Sequence, residues 1–483
     1  MNFARDVVDA ARPQQRALVE VTRDGQRREW TFGEVADRSA RLAGALQHHG
    51  VGRGDVVLTL IGNRPEWVLA IVACFRLGAV ALPCNEQLRA KDLQLRLQAA
   101  RPKLIVADER DLGELSATRP DCRVLTLPDE SLFSDEPAPA VELEPTDPCL
   151  ITFTSGTTGE PKGVVHGQRY LPGQRLQAEH WLDARSGDLV WCTAATGWSK
   201  SARNAFIAPW LRGAAALLHD ARFDPEQRLE ILAAEDVNVL CMAPTEYRVI
   251  AKRTTLSPVP ALRTLVAAGE ALNPEVIRTF VDGTGVEIRD GYGQTETGQL
   301  TANPPGDAVR PGSMGRPLPG VGLEVIDGEL VLADPRTDPT FFVGYLDGSP
   351  TPQSTPWHTG DRVAQDGDGY LFFEGRTDDV IISSGYRIGP FEVESALVSH
   401  AAVAEAAVVA APDEERGSVV RAVVVLRDGF EPSESLTSEL QAHVREQTAP
   451  YKYPRIVEFA ADLPKTASGK IQRALLRGEG AAP

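Results

Sequence analysis

Apolar positions recur along the first hundred residues in two alternating rhythms. Thr31 and Glu34 have the spacing of a capping box, in which a hydroxyl and a carboxylate reciprocally satisfy free amide groups, and they open a run of helical spacing to about His49. Asp55 to Ile61 reads as a short apolar strand, Pro65 to Leu77 as a helix and Ala79 to Leu82 as a strand. Leu88 to Ala100 then reads as a helix and Leu104 to Ala107 as a strand. Strands alternating with helices form parallel sheets, whose crossovers cover both faces. The pattern predicts an α/β fold with doubly wound sheets.

Residues 128–148 are acidic, rich in proline and without periodicity, which predicts a surface connection between sheets. A second α/β run is expected from Cys149 to Tyr292. After Pro304 the texture changes to short strands between Gly, Pro and Asp turns: GLEVID, GELVLAD and RVAQDGDGYLFFEG, whose DGDG is a hairpin signal. This predicts a small β-rich subdomain. From Arg376 a shorter α+β pattern follows, with helices near Glu392 to Val398 and Leu436 to Gln447 and strands near Val403 to Ala410 and Val419 to Leu426. The expected division is a large N-terminal domain over 1–375, a hinge at 376–379 and a small C-terminal domain over 380–483.

Composition agrees with more than one unit, because 483 residues exceed the ~250 to 300 at which a single core stops growing. At 42% hydrophobic and 24% charged residues, the chain can bury a large core. Its net charge of −17 excludes a general nucleic-acid or anionic-membrane surface, which would need a basic face, but leaves room for a local cationic pocket. The six cysteines are scattered through the first half without CxxC or metal spacing, as expected of reduced, buried thiols. The N-terminal MNFARDVVDAARPQQ lacks the apolar run of a signal peptide, and the longest such run, Trp67 to Phe75, is cut by Arg76. A cytoplasmic protein without stable membrane insertion is expected.

Four segments carry candidate chemistry. TSGTTGEPKG, Thr154 to Gly163, follows the strand-like CLITF, so its glycines and hydroxyls sit where a ligand meets exposed amides, and Lys162 adds a charge suited to phosphate. A flexible polar turn would read the same way locally. DGYGQTETG, Asp290 to Gly298, sets a ring (Tyr292), two hydroxyls (Thr295, Thr297) and a carboxylate (Glu296) among glycines, a set able to stack on a base, bond phosphate and hold Mg²⁺; an ordinary strand-turn-helix is the alternative. WHTGD with Asp361 and GRTDDVIISSGYRIG with Arg376, Asp378, Asp379 and Arg387 suit a ribose or phosphate contact, or form an exposed hairpin with solvated charges. PKTASGKIQR places Lys470 after a glycine, a weak signal by itself. No Walker loop, GxSxG elbow or HExxH motif occurs, and Glu296 stands where a dinucleotide fingerprint needs its third glycine.

In this order the four segments resemble the core motifs of the adenylate-forming superfamily of acyl-CoA synthetases, peptide-synthetase adenylation domains and luciferases. The resemblance runs from about Trp30 to Arg477. TGWSKSARNAFIAPWLRGA, FDPEQRLEIL, MAPTEYRVI, GEALNPEVI and TAPYKYPRIVEF look most like medium-chain acyl-CoA synthetases. The resemblance implies ATP, Mg²⁺ and coenzyme A acting on a small carboxylic acid, with a homodimer left open. It implies that Thr154, Ser155, Gly156, Thr157, Thr158 and Lys162 hold the β- and γ-phosphates. Gly269, Glu270 and Ala271 would line the adenine, Tyr292 would stack near it, and Asp290, Gly291 and Gln294 would complete the nucleotide site. Thr295 would touch the α-phosphate, Glu296 would bind Mg²⁺, Asp361 and Arg376 would hold the ribose, and Arg387 would meet the phosphates. Lys470 would reach the carboxylate and α-phosphate from a mobile C-terminal domain turning at Asp378, which would then present Gly385 and Tyr386 to coenzyme A.

For the acyl pocket, the resemblance points to Trp198, bordered by Gly197, Thr245 and Gly293; a simple core tryptophan is the rival for Trp198. The N-terminus and the stretch Gly328 to Tyr345 look abbreviated against the family pattern. Two other functions stay in view: an adenylating enzyme that loads a carrier-protein thiol or an amine, and a nucleotide-binding relative without activity. The presence of Lys162, Glu296, Asp361, Arg387 and Lys470 speaks against the second.

Overall fold

The computed structural model describes residues 1–154, 161–270, 272–349, 356–377, 379–383, 386–413, 416–465 and 471–478, with the side chain of Arg387 excepted. Two large sheets dominate. In the first, the strands run in the order Gly344–Tyr345, Gly163–Gly167, Pro148–Phe153, Val80–Cys84, Val56–Leu60, Leu104–Asp108 and Arg123–Leu127. The second begins with Arg316–Pro317, Gly298–Ala302, Ile288–Gln294, Thr264–Ala268 and Val239–Met242. It continues through Leu189–Cys192, Ala215–His219, Arg16–Val21 and Arg27–Thr31. Their centres are parallel, as the alternating pattern predicts; antiparallel strands close both edges of the second sheet and one edge of the first, whose other edge strand, Arg123–Leu127, is parallel.

Local signals set the helices. Thr31 caps Phe32–His48, its side chain accepting from the Glu34 amide while Glu34 accepts from the Thr31 amide. Pro65–Leu77 begins on a proline and ends at Gly78, whose φ of +67° suits a residue without Cβ. Every residue of that helix except Glu66 is buried, because its surroundings join side chains of both large sheets in one core cluster.

Two expectations change. Residues 128–148 are not a plain surface connection: Leu132, Phe133, Ala138 and Leu143 are buried, the Ala138 amide donates to Ala40 O, and Arg38 covers the Phe133 ring. Nor does the segment join two sheets, since Pro148–Phe153 pairs with Val80–Cys84 in the first. The second α/β run therefore starts inside the first sheet. The other sheet instead takes the N-terminal strand Arg16–Val21, parallel to Ala215–His219, a pairing about 200 residues apart that no local rhythm reveals.

The β-rich subdomain is a four-stranded sheet, Leu323–Ile326, Glu329–Leu332, Trp357–Gln365 and Leu371–Arg376, with the expected hairpin between the last two. The C-terminal part pairs Val403–Asp413 with Gly417–Leu426 and adds Ile456–Phe459, against helices Pro390–Val398 and Glu434–Gln447. Among the described residues no helix is long and apolar enough to cross a membrane.

Candidate active site

Where the strands of the two large sheets end, the chain encloses a cleft of about 1850 Å³. The described ends of the first motif meet at the cleft: the Thr154 amide donates to Lys162 O (2.9 Å) and the Lys162 amide to Thr154 Oγ1 (3.1 Å). The chain thus leaves and rejoins the sheet at one point. Gly344–Tyr345 pairs antiparallel with Gly163–Gly167, which brings the Tyr345 ring 5.2 Å from Lys162 Nζ. The Tyr345 hydroxyl donates to Glu296 Oε1 at 3.0 Å. Burial pushes the Glu296 carboxyl above its ordinary range, and the Tyr345 bond opposes the shift. Lys162 and Glu296, 134 positions apart, meet through a tyrosine in the stretch that looked abbreviated.

On another wall, Asp361 and Arg376 stand directly opposite each other in the antiparallel ladder, and Arg376 Nη1 reaches Asp361 Oδ1 at 3.2 Å. Asp361 is 5% exposed. Its other oxygen accepts from the Tyr292 hydroxyl and from Gln294 Nε2 (2.9 Å), while Gln294 Oε1 accepts from Trp357 Nε1 (3.0 Å). Burial raises the Asp361 carboxyl and these donors, Arg376 first, hold it down. Tyr292 is thereby tethered by its hydroxyl.

Between these walls lie Gly269, Glu270 and Asp290. Gly269 has φ of +100°, a conformation that needs glycine, and it lies under the end of the Lys200 side chain. Lys200 Nζ donates to Ala268 O. Glu270 Oε2 accepts from Thr245 Oγ1 (2.8 Å) and Arg248 Nη2 (2.7 Å), which ties Thr245 to the Glu270 side of the cleft. Asp290 is 4% exposed and burial pushes its carboxyl up to about 8, against the amides of Gly291 and Leu272 and the charges of Lys200 and Arg248.

Thr154, Lys162, Trp198, Thr245, Gly269, Glu270 and every residue from Asp290 to Glu296 line this one cleft, with Asp361 and Arg376. Trp198 is thus a wall residue and not core. Gly197 is not on the wall: with φ of +85° it packs on the backbone of Pro83 to Asn85, where a Cβ would approach Asn85 N to 2.8 Å. Tyr386 also stands apart, 53% exposed and stacked on Tyr451 at 4.3 Å. Ser155, Gly156, Thr157, Thr158, Ala271, Asp378, Gly385, Lys470 and the side chain of Arg387 lie outside the described residues. Lys465 and Ile471, on either side of the Lys470 segment, both line the cleft and bridge each other as an antiparallel pair. Sequence reasoning missed Lys200, Arg203 and Tyr345; the first two stand in the quoted TGWSKSAR, two cations three positions apart in a segment already singled out for the acyl pocket.

The cleft draws cations together in a chain of net charge −17, and its walls come from motifs spread over more than two hundred positions. Residues 5–336 match the family model of the AMP-binding enzymes and residues 392–470 that of the AMP-binding enzyme C-terminal domain. The chain belongs to the AMP-binding enzyme family. It is 41% identical over 523 residues to "Acyl-coenzyme A synthetase ACSM4, mitochondrial" of Rattus norvegicus, covering 99% of this chain and 90% of that one. It is 39% identical to "Uncharacterized acyl--CoA ligase YtcI" of Bacillus subtilis, covering 97% and 94%. Among solved structures it resembles the anthranilate CoA ligase AuaEII in complex with anthranoyl-AMP, at a TM-score of 0.89, 29% identity and coverage of 99% and 96%.

Proposed function

We propose that the chain is an acyl-CoA synthetase that activates a carboxylic acid with ATP and passes the acyl group to coenzyme A in the cytoplasm. In the first step a carboxylate oxygen bonds to the α-phosphorus of ATP and the bond to pyrophosphate breaks, giving an acyl-adenylate. In the second, the thiol of coenzyme A adds to the activated carbonyl, loses its proton and displaces AMP. The carrying observation is that Lys162, Glu296 and the Asp361–Arg376 pair, from three distant motifs, face one cleft.

Thr154 and Lys162 are assigned to the β- and γ-phosphates, Thr295 to the α-phosphate, Gly269, Glu270, Asp290 and Tyr292 to the base, and Asp361 with Arg376 to the ribose. Asp361 is already fixed by three donors, so its geometry is set before a nucleotide arrives. Glu296 suits Mg²⁺: it is a hard oxygen donor on the cleft wall, and no cluster of three or more His, Cys, Asp or Glu side chains accompanies it among the described residues. Phosphate and water oxygens would complete the coordination. When bound, the metal neutralises phosphate charge. Negative charge moves onto the departing pyrophosphate, and Lys162, Arg387 and Lys470 would stabilise it electrostatically. The placement of Lys465 and Ile471 on the cleft supports Lys470 as the lysine that serves the first step and withdraws for the second.

The resemblance of TGWSKSARNAFIAPWLRGA and the other quoted stretches to medium-chain acyl-CoA synthetases supports a medium-length or branched acid, with Trp198 on the pocket wall. The test is pyrophosphate release over acids from acetate to dodecanoate, with benzoate and branched acids, with and without coenzyme A. Acid-dependent release and a thioester product are expected. Release unaffected by coenzyme A would favour a carrier protein or an amine as acceptor, and no release with any acid would overturn the reading. Lys470→Ala is expected to lose ~10²- to 10³-fold in ATP–pyrophosphate exchange while still forming thioester from a supplied acyl-adenylate.

A further inference from the structure

Three arginines in the described chain are buried: Arg76 at 5% exposure, Arg203 at 3% and Arg228 at 6%. Arg76 pairs with Asp9 and Arg228 with Glu246. Arg203, the deepest, forms no ion pair with an acidic side chain among the described residues, and its Nε and Nη1 are sealed from solvent without a hydrogen-bond partner. A lysine or histidine in such a place would shed its proton, but a guanidinium keeps its charge. Isolated buried charge is among the costliest arrangements a protein can hold.

The segment that sends Trp198 and Lys200 to the cleft wall turns inward at Arg203, the first residue of the helical turn Arg203–Ile207. The guanidinium ends beneath the hairpin of Ile288–Gln294 and Gly298–Ala302. A Cβ on Gly298 would stand 3.6 Å from its Nη1, and Gly298 pairs with Gln294 across the turn that carries Thr295 and Glu296. The His166 ring marks the same nearness from another side: burial and then Arg203 push it down to about 3, while the Thr295 backbone opposes, so one imidazole feels both groups.

The surroundings of the guanidinium are uncharged. His166 is neutral at that value, and burial pushes the Tyr170 phenol up, with Arg203 opposing. The Cys241 thiol is raised by Cys192 and by burial, again with Arg203 opposing. Asp338, a buried carboxyl linked to the same hairpin, accepts from the Thr340 hydroxyl at 2.6 Å and amide at 2.7 Å and forms no ion pair with Arg203 among the described residues. Compensation has to come from across the hairpin, where Thr295 is assigned to the α-phosphate.

We propose that Arg203 is a positioning residue that acts without touching a ligand: its buried charge sets a positive potential behind the Thr295 hairpin, and that potential holds the phosphates of the nucleotide. This rests on the reading that a nucleotide occupies the cleft, and it is indifferent to which acid is used. Attraction between charges falls only as the inverse of their separation, and in a sealed interior neither water nor salt weakens it as they do at a surface. A potential already in place needs no rearrangement when the phosphates arrive. The empty protein is less stable for carrying the charge, a known exchange of stability for function.

The test is calorimetric binding of adenosine, AMP and ATP with Mg²⁺ at low and high salt, on the wild type, Arg203→Met, Arg203→Gln and Arg203→Lys. The two neutral variants are expected to bind AMP and ATP ~10-fold more weakly with adenosine unchanged, and Arg203→Lys to keep most of the affinity. The deficit is expected to persist at high salt, because a sealed charge is not screened. Melting gives an independent reading: without ligand both neutral variants melt above the wild type, and they gain less from ATP. Equal losses for adenosine and AMP would reduce Arg203 to shaping the site. A deficit that disappears at high salt, or Arg203→Lys as weak as Arg203→Met, would each overturn the assignment. If the wild type binds AMP and both neutral variants match it, this inference alone falls; if the wild type binds no nucleotide, the reading of the cleft falls with it.

Discussion

The cleft has two unlike walls. Around Asp361 nearly every polar group is matched within the chain: Arg376, Tyr292 and Gln294 converge on one carboxylate, and Trp357 holds Gln294 in turn. Around Arg203 the polar groups are just as buried and largely unmatched, with Nε and Nη1 of the arginine and both nitrogens of His166 lacking partners. A satisfied network is rigid before any ligand binds, which suits a substrate part that never changes, such as a ribose. An unsatisfied one leaves donors and a charge unpaired beneath the hairpin that carries Thr295 and Glu296. One wall is settled before a ligand arrives, and the other is not.

Breaking the satisfied wall carries the largest expected effect. Asp361→Ala removes an acceptor that three donors share: Gln294 and Arg376 keep Thr359 O, and the Tyr292 hydroxyl loses its carboxylate. Arg376 is partly exposed, so its charge is screened by solvent, and the loss of hydrogen bonds to a charged acceptor costs about 1.5 to 3 kcal/mol. We expect ATP–pyrophosphate exchange to fall ~10²- to 10³-fold, the KM for ATP to rise and the melting temperature to drop by several degrees. Arg203→Met provides the contrast, since removing an uncompensated cation should raise the melting temperature. If both substitutions destabilise the protein equally, the two walls do not differ as described.

These walls were unequally legible in the sequence. Pro65–Leu77 could be bounded to the residue because Pro65 and Gly78 are chemical stops acting on their own neighbours. Asp361 and Arg376 were legible because each sits in a recognisable string, and the hairpin between them folds locally. Arg16–Val21, Tyr345 and Arg203 were not, because their roles depend on partners about 200, 49 and 95 residues away, which no periodicity encodes. The buried parts of 128–148 were hidden for a related reason: a short turn with two apolar side chains has no period to detect.

Asp290 sharpens the comparison through pH. Like Asp361 it is a buried carboxyl on the cleft, but among the described residues no cation pairs with it, and burial pushes it up to about 8. An unfolded aspartate releases its proton near pH 4. Between those values the folded chain keeps a proton that the unfolded chain has lost, so this group's contribution to stability is present at low pH and falls as pH rises toward 8. Without ligands, denaturant titrations from pH 5 to 8 should show the wild type losing stability relative to Asp290→Asn by up to ~1.4 kcal/mol per pH unit. A constant difference between the two across that range would mean that Asp290 is ionised in the folded state.

Tyr345 is the smallest lever and the most specific. Its hydroxyl links Glu296 to the strand Gly344–Tyr345 and its ring lies against Lys162 Nζ, so Tyr345→Phe keeps the ring, the strand pairing and the Lys162 contact and deletes one hydrogen bond. A bond to a charged acceptor contributes about 1.5 to 3 kcal/mol, and partial replacement by water in an open cleft should leave about 1 kcal/mol. The bond favours the ionised form of Glu296, which burial disfavours, and ionised Glu296 is the form that can hold a metal. The expected result is therefore a several-fold higher Mg²⁺ requirement for pyrophosphate release, steeper at low pH, with the preference among acids unchanged. Should Tyr345→Phe leave the Mg²⁺ requirement unchanged, the ionised form of Glu296 would not depend on Tyr345, and the tyrosine would count only as packing between the strand and Lys162.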